Sequence, residues 1–129
     1  MKKILIIEDE ADIRNLYKQV FLNSSYEVED VDNCPDAIKL LREKTFDVIL
    51  LDLLFTNQTD GFVVLREARL ENSPNTKTPI IVITNLDQDE KIKKALKEGA
   101  DKCLFKAEHT PRSVFEEVDT FLNVESDKS

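Results

Sequence analysis

Five short runs of aliphatic residues, at positions 4–7, 28–31, 48–51, 80–83 and 103–105, are separated by stretches in which apolar residues recur every three or four positions. That alternation is the strongest constraint on the fold. Short aliphatic runs read as strands, and the spaced stretches read as amphipathic helices. Five β–α units in succession imply a parallel sheet, with right-handed crossovers carrying helices on both faces. The first, third and fourth runs are continuously apolar, as expected of central strands buried on both sides. The second run, Val28-Glu29-Asp30-Val31, is polar in its middle and reads as an edge strand. The helical stripes are Ile13, Leu16, Tyr17, Val20 and Phe21; Ala37, Ile38, Leu40 and Leu41; Phe62, Leu65, Ala68 and Arg69; Ile92, Ala95 and Leu96; and Val114, Phe115, Val118, Phe121 and Leu122. Thr110 before Pro111 suits the start of the last helix, and Gly99 after Glu98 a helix stop.

A chain of 129 residues accommodates one such domain, over residues 1–124, with a polar tail at 125–129. Its Met1 and this tail favour a stand-alone unit over a fragment of a longer protein. The net charge of −8 offers no basic face for direct contact with nucleic acid or an anionic membrane. The apolar run after Met1-Lys2-Lys3 ends at Glu8, too early for a signal peptide, and no run approaches the ~20 residues of a membrane span. Two cysteines, Cys34 and Cys103, are too few for a disulfide framework and read as reduced thiols, which points to the cytoplasm. His109, the only histidine, reads as a surface loop residue with nothing to position it as a phosphohistidine.

Ligands of doubly wound sheets bind beyond the carboxyl ends of the strands. The first strand closes on Glu8-Asp9-Glu10, the third on Asp52, the fourth on Thr84 and the fifth on Lys106. Taken singly, each has an ordinary explanation. An acidic pair suits a helix N-terminus, a threonine suits a strand or a cap, and a lysine is usually solvated. If the first and third strands are neighbours, however, Glu8, Asp9 and Asp52 converge and repel one another unless a cation joins them. With oxygen donors only, and no histidine or cysteine nearby, Mg²⁺ fits better than zinc. A carboxylate nucleophile, a metal, the Lys106 ammonium and the Thr84 hydroxyl together can make and hold an acyl phosphate.

Over nearly its whole length the sequence resembles the receiver family of two-component response regulators. The matching residues are Glu8-Asp9, Asp52 as the phosphoacceptor, Asp60-Gly61, Thr84 as the switch hydroxyl, Gly99-Ala100-Asp101, and Lys106. The resemblance implies a flavodoxin-like (βα)5 sheet of strand order 2-1-3-4-5. It also implies Mg²⁺ dependence and phosphoryl transfer from a histidine kinase or histidine phosphotransfer protein. Such a chain is a phosphoacceptor that catalyses its own phosphorylation and dephosphorylation, not an enzyme in the usual sense, and it signals by protein–protein contacts to a downstream target. By the same resemblance Asp9, Asp52 and the Leu54 carbonyl ligate Mg²⁺, with Glu8 acting through water. Residues 54 and 86 would flank the path of the hydrolytic water.

Departures from the family pattern are informative. The 53–60 loop is one residue longer than usual and lacks a proline. Ala107 stands where a proline often follows the lysine, so a cis peptide is not expected. Cys103 stands where many relatives have a switch Tyr or Phe; Phe105, of the same strand parity, reads as core. Three other functions compete with this reading. A phosphorylation-independent adaptor has no need of the full residue set. A haloacid-dehalogenase-type enzyme wants an aspartate at position 54, where leucine stands. A flavodoxin wants a Ser/Thr/Gly-rich first loop in place of Glu8-Asp9-Glu10.

Overall fold

The computed structural model describes residues 1–54, 61–85 and 89–127, with the backbone alone for 125–127. The elements alternate as the aliphatic runs require. They are β1 (Lys3–Ile7), α1 (Ala11–Leu22), β2 (Glu27–Val31), α2 (Cys34–Glu43), β3 (Val48–Leu51), α3 (Gly61–Ala68), β4 (Ile80–Thr84), α4 (Asp89–Lys97), β5 (Lys102–Phe105) and α5 (Pro111–Asp127). All five strands are parallel, in the order β2-β1-β3-β4-β5. The order reverses between β1 and β3, which makes their carboxyl ends the expected place for a site.

Successive strand residues face opposite sides of the sheet, so each aliphatic strand feeds two cores. Leu5, Ile7, Ile49, Leu51, Ile80 and Val82 pack with Ala37, Leu41, Phe62, Leu65 and Ala95 from α2, α3 and α4. Ile4, Ile6, Val48, Leu50, Ile81 and Ile83 pack with Tyr17, Phe21, Val114, Val118 and Leu122 from α1 and α5. Phe21, Tyr26 and Phe115 meet edge to face in the second core, with centroids 5.1 to 6.0 Å apart. The half-buried residues of β2 confirm it as an edge.

Local signals act where expected. Thr110 Oγ1 accepts from the Ser113 amide at 3.1 Å, capping α5 ahead of Pro111. Gly99 takes φ +118°, and the Arg69 side chain lies where a Cβ would stand. Some expectations are altered. Leu16 and Leu96 carry the helical spacing but are exposed, and Phe105 is half-buried rather than core. Helix α5 continues to Asp127, past the point where the sequence turns polar. His109 follows a 3-10 turn at Lys106–Glu108, and its Nδ1 lies 2.7 Å from Ser113 Oγ.

Candidate functional site at the strand ends

Register brings the strand-end residues together. Ile7 pairs with Leu51, so Glu8 and Asp52, the next residues of β1 and β3, emerge side by side. The Asp52 amide donates to Ile7 O at 3.0 Å, and the Glu8 amide to Val31 O at 3.1 Å, holding both residues to the sheet edge. Thr84 pairs with Phe105, which sets Lys106 just beyond it. Thr84 is buried at the end of β4. Lys106 crosses back over the strand ends. Its Nζ lies 2.8 Å from Asp52 Oδ2 and against Glu8 Oε1, and all three side chains are almost wholly buried.

The structure therefore brings Glu8, Asp9, Asp52 and Lys106 into one cluster. Carboxylate oxygens of Glu8, Asp9 and Asp52 lie within 4.8 Å of one another. Burial raises the Glu8 carboxyl to about 7, with the neighbouring Asp52 charge adding to the effect and Lys106 opposing it. Burial alone would lower the Lys106 ammonium, but its bonds to Asp52 and Glu8 prevail and raise it. One ammonium thus touches two of the three carboxylates in the cluster. The donor set, all oxygen and net negative, fits a hard divalent cation.

Asp52 Oδ1 accepts from the Leu54 amide at 2.9 Å, so both carboxylate oxygens are held. Leu54 therefore stands next to the aspartate, with its side chain partly exposed. The start of α3 approaches the residues just past β3 closely. A Cβ on Gly61 would fall 2.6 Å from Leu53 Cα and 2.7 Å from Asp52 O, so only glycine permits this approach. Asp60, the longer stretch at 55–60, and Leu86 lie outside the described residues.

One contributor is missing from the strand-end reading. Arg14, on the first turn of α1, donates from Nη1 to Glu8 O at 3.0 Å and from Nε to Asp30 Oδ2 at 3.1 Å. A basic residue early in a helix opposes the macrodipole, and this was the available signal. Its partner on β2 depends on strand adjacency and carries no local sequence mark.

Comparison with known proteins identifies the family and the fold. The family model for the response regulator receiver domain matches residues 4–118. The transcriptional regulatory protein ResD of Bacillus subtilis is 32% identical over 127 residues, which are 98% of this chain and 50% of ResD. SrrA of Staphylococcus aureus is 32% identical over 120 residues, 93% of this chain and 47% of SrrA. The chain spans about half the length of these curated relatives. Among solved structures, a CheY-like receiver domain protein from Methanospirillum hungatei superposes with a TM-score of 0.88, covering 100% of this chain and 99% of that one. At 23% identity this shows the fold alone. Vibrio cholerae CheY4 superposes with a TM-score of 0.83 at 25% identity, covering 93% of this chain and 98% of that one. By the family match and by identity along almost its full length, the chain belongs to the response regulator receiver domain family.

Proposed function

We propose that this chain is a phosphorylation-activated signalling switch whose phosphoacceptor is Asp52. The supporting observation is the contact of Lys106 Nζ with Asp52 Oδ2 at 2.8 Å, inside a group of three carboxylates. An Asp52 oxygen attacks the phosphorus of a phosphohistidine on a histidine kinase or phosphotransfer protein. The P–N bond breaks, the imidazole leaves with a proton, and an acyl phosphate forms on Asp52. Bound Mg²⁺ supplies charge neutralisation for the transferring phosphoryl group. Asp9 and Asp52, with the Leu54 carbonyl, would hold it, and Glu8 would act through water. Lys106 pairs the phosphoryl oxygens once Asp52 is modified, and Thr84 donates its hydroxyl to them. The same residues position water for the later hydrolysis, so the chain catalyses both its phosphorylation and its dephosphorylation.

Output is proposed to run through protein contacts on the surface of α4, β5 and α5. Lys91, Lys94 and Glu116 are exposed there, and Lys102 is held 2.7 Å from Glu117. Movement of Thr84 would shift this surface. Cys103, half-buried against the core beneath α4, is too small to add a large aromatic rotation. No helix among the described residues is long and apolar enough to cross a membrane.

The test is incubation with Mg²⁺ and acetyl phosphate, read by intact mass. Wild type should gain one phosphoryl group and Asp52→Asn none; equal labelling of the two defeats the assignment. Asp9→Ala should weaken Mg²⁺ binding and labelling together.

A further inference from the structure

The acidic turn between β1 and α1 has an unusual support. Helix α1 begins without a side-chain cap: Glu10 at its N-cap makes no side-chain cap hydrogen bond. The turn is held by other bonds. The Glu10 amide donates to Glu8 Oε2 at 3.2 Å, and the Glu8 carbonyl accepts from Arg14 Nη1 at 3.0 Å. The Arg14 side chain is only 16% exposed. Its other contact, Nε to Asp30 Oδ2 at 3.1 Å, reaches β2, and Asp30 is further held by Lys18 Nζ at 3.1 Å. The Glu8 backbone is thereby fixed at both ends, its amide on Val31 O of β2 and its carbonyl on Arg14. Asp9 is the next residue.

We propose that Arg14 is a positioning residue for the cation site: its guanidinium spans Glu8 O and Asp30, fixing the backbone that carries Asp9 into the carboxylate cluster. The inference rests on the cation-binding role proposed above. Arginine suits the task because its planar fork meets a carbonyl and a carboxylate at once, which a lysine ammonium on a flexible stem does not reproduce. Asp30 and Lys18 give the fork a fixed anchor. A cation inside the first helical turn is unfavourable by the macrodipole, and pairing with Asp30 offsets that.

Two roles for Arg14 predict opposite signs. As a nearby positive charge it repels a cation, so its removal would tighten Mg²⁺ binding. As a support for the turn it aids the site, so its removal weakens binding. The experiment is a calorimetric Mg²⁺ titration of the unphosphorylated chain, for wild type, Arg14→Ala, Arg14→Lys and Asp30→Asn. Circular dichroism melts establish that each variant is folded at the titration temperature. Arg14→Ala and Asp30→Asn should each weaken Mg²⁺ binding by about fivefold or more, and Arg14→Lys should fall between them and wild type. Tighter binding by Arg14→Ala, or wild-type affinity in Arg14→Lys, overturns the proposal. Should Arg14→Ala fail to fold, Arg14→Lys decides the question alone. Wild type that binds Mg²⁺ yet takes no phosphoryl group on Asp52 defeats the functional reading only. Wild type that binds no Mg²⁺ defeats both.

Discussion

Lys106 Nζ lies 2.8 Å from Asp52 Oδ2, across 54 positions of sequence and one intervening strand. The same ammonium touches Glu8 Oε1, so a single cation ties together the ends of β1, β3 and β5. Removing one partner of a buried ion pair leaves an uncompensated charge. Lys106→Ala should therefore lose about 3 kcal/mol at pH 8 in EDTA. Mg²⁺ should restore more stability to this variant than it adds to wild type, since it then becomes the main neutralising charge. Urea unfolding with and without Mg²⁺ measures both. An equal gain in the two proteins would contradict the shared role of the two cations.

The Glu8 carboxyl, raised to about 7 from its ordinary 4.5, predicts a pH dependence. Between those values the folded protein holds a proton that the unfolded chain releases, so stability falls as pH rises. In EDTA the contribution is complete below about 4.5 and lost as pH climbs through about 7, amounting to about 3 kcal/mol at most. A bound divalent cation replaces the proton. Added Mg²⁺ should therefore stabilise the protein more at pH 8 than at pH 6, and Glu8→Gln should flatten the difference. Thermal melts at both pH values, with and without Mg²⁺, are the check; a larger Mg²⁺ effect at pH 6 has the wrong sign.

Gly61 comes so close to the residues just past β3 that a Cβ would stand 2.6 Å from Leu53 Cα and 2.7 Å from Asp52 O. Both are backbone atoms, so neither can turn aside. Gly61→Ala should cost about 1–3 kcal/mol through overpacking. By displacing the 52–54 backbone it should also slow labelling by acetyl phosphate. A variant with wild-type urea midpoint and labelling rate would show that α3 has room to retreat.

Much of this architecture is legible in the sequence because its determinants are local. The aliphatic runs mark the strands, and β1, β3 and β4 fall within a residue of the apolar stretches. Glu8, Asp9, Asp52, Thr84 and Lys106 are visible because charged and hydroxyl groups closing aliphatic strands are out of place there. Side chains whose partners are distant are not visible. Asn75 sits in a polar stretch of the sequence, yet it is fully buried. Its amide donates to Leu41 O and Lys44 O at 2.8 and 2.7 Å, and its carbonyl oxygen accepts from the Phe46 amide at 2.9 Å. Arg69 carries the spacing of a helical stripe, but its guanidinium joins Gly99 O, Asn75 O, Thr76 O and Asp101. Leu16 and Leu96 err in the other direction, since helical spacing marks a face without saying how much of it the sheet covers.

On the proposed function, Leu54 should govern the lifetime of the phosphorylated state. Its amide donates to Asp52 Oδ1 at 2.9 Å, which keeps residue 54 beside the carboxylate despite the longer loop that follows. Leu54 is 45% exposed, outside the core. The family resemblance sets this residue, with Leu86, along the approach of the hydrolytic water. Leucine can crowd and dry that approach but cannot hydrogen-bond a water into line, whereas a polar side chain can. Asn85, exposed just past Thr84, stands where the family resemblance leads one to expect alanine or glycine, and its bulk should narrow access further. The phosphorylated chain should therefore decay slowly. The test is first-order loss of phosphate after donor removal, in Mg²⁺, for wild type and for Leu54→Asn combined with Leu86→Glu. The double variant should decay about tenfold faster, short of the roughly hundredfold that a full general base contributes. Leu54→Asn alone should give part of that gain, because its position beside Asp52 is fixed by the backbone. Equal decay of wild type and the double variant would mean that the lifetime is set by Asp52, Lys106 and the cation alone.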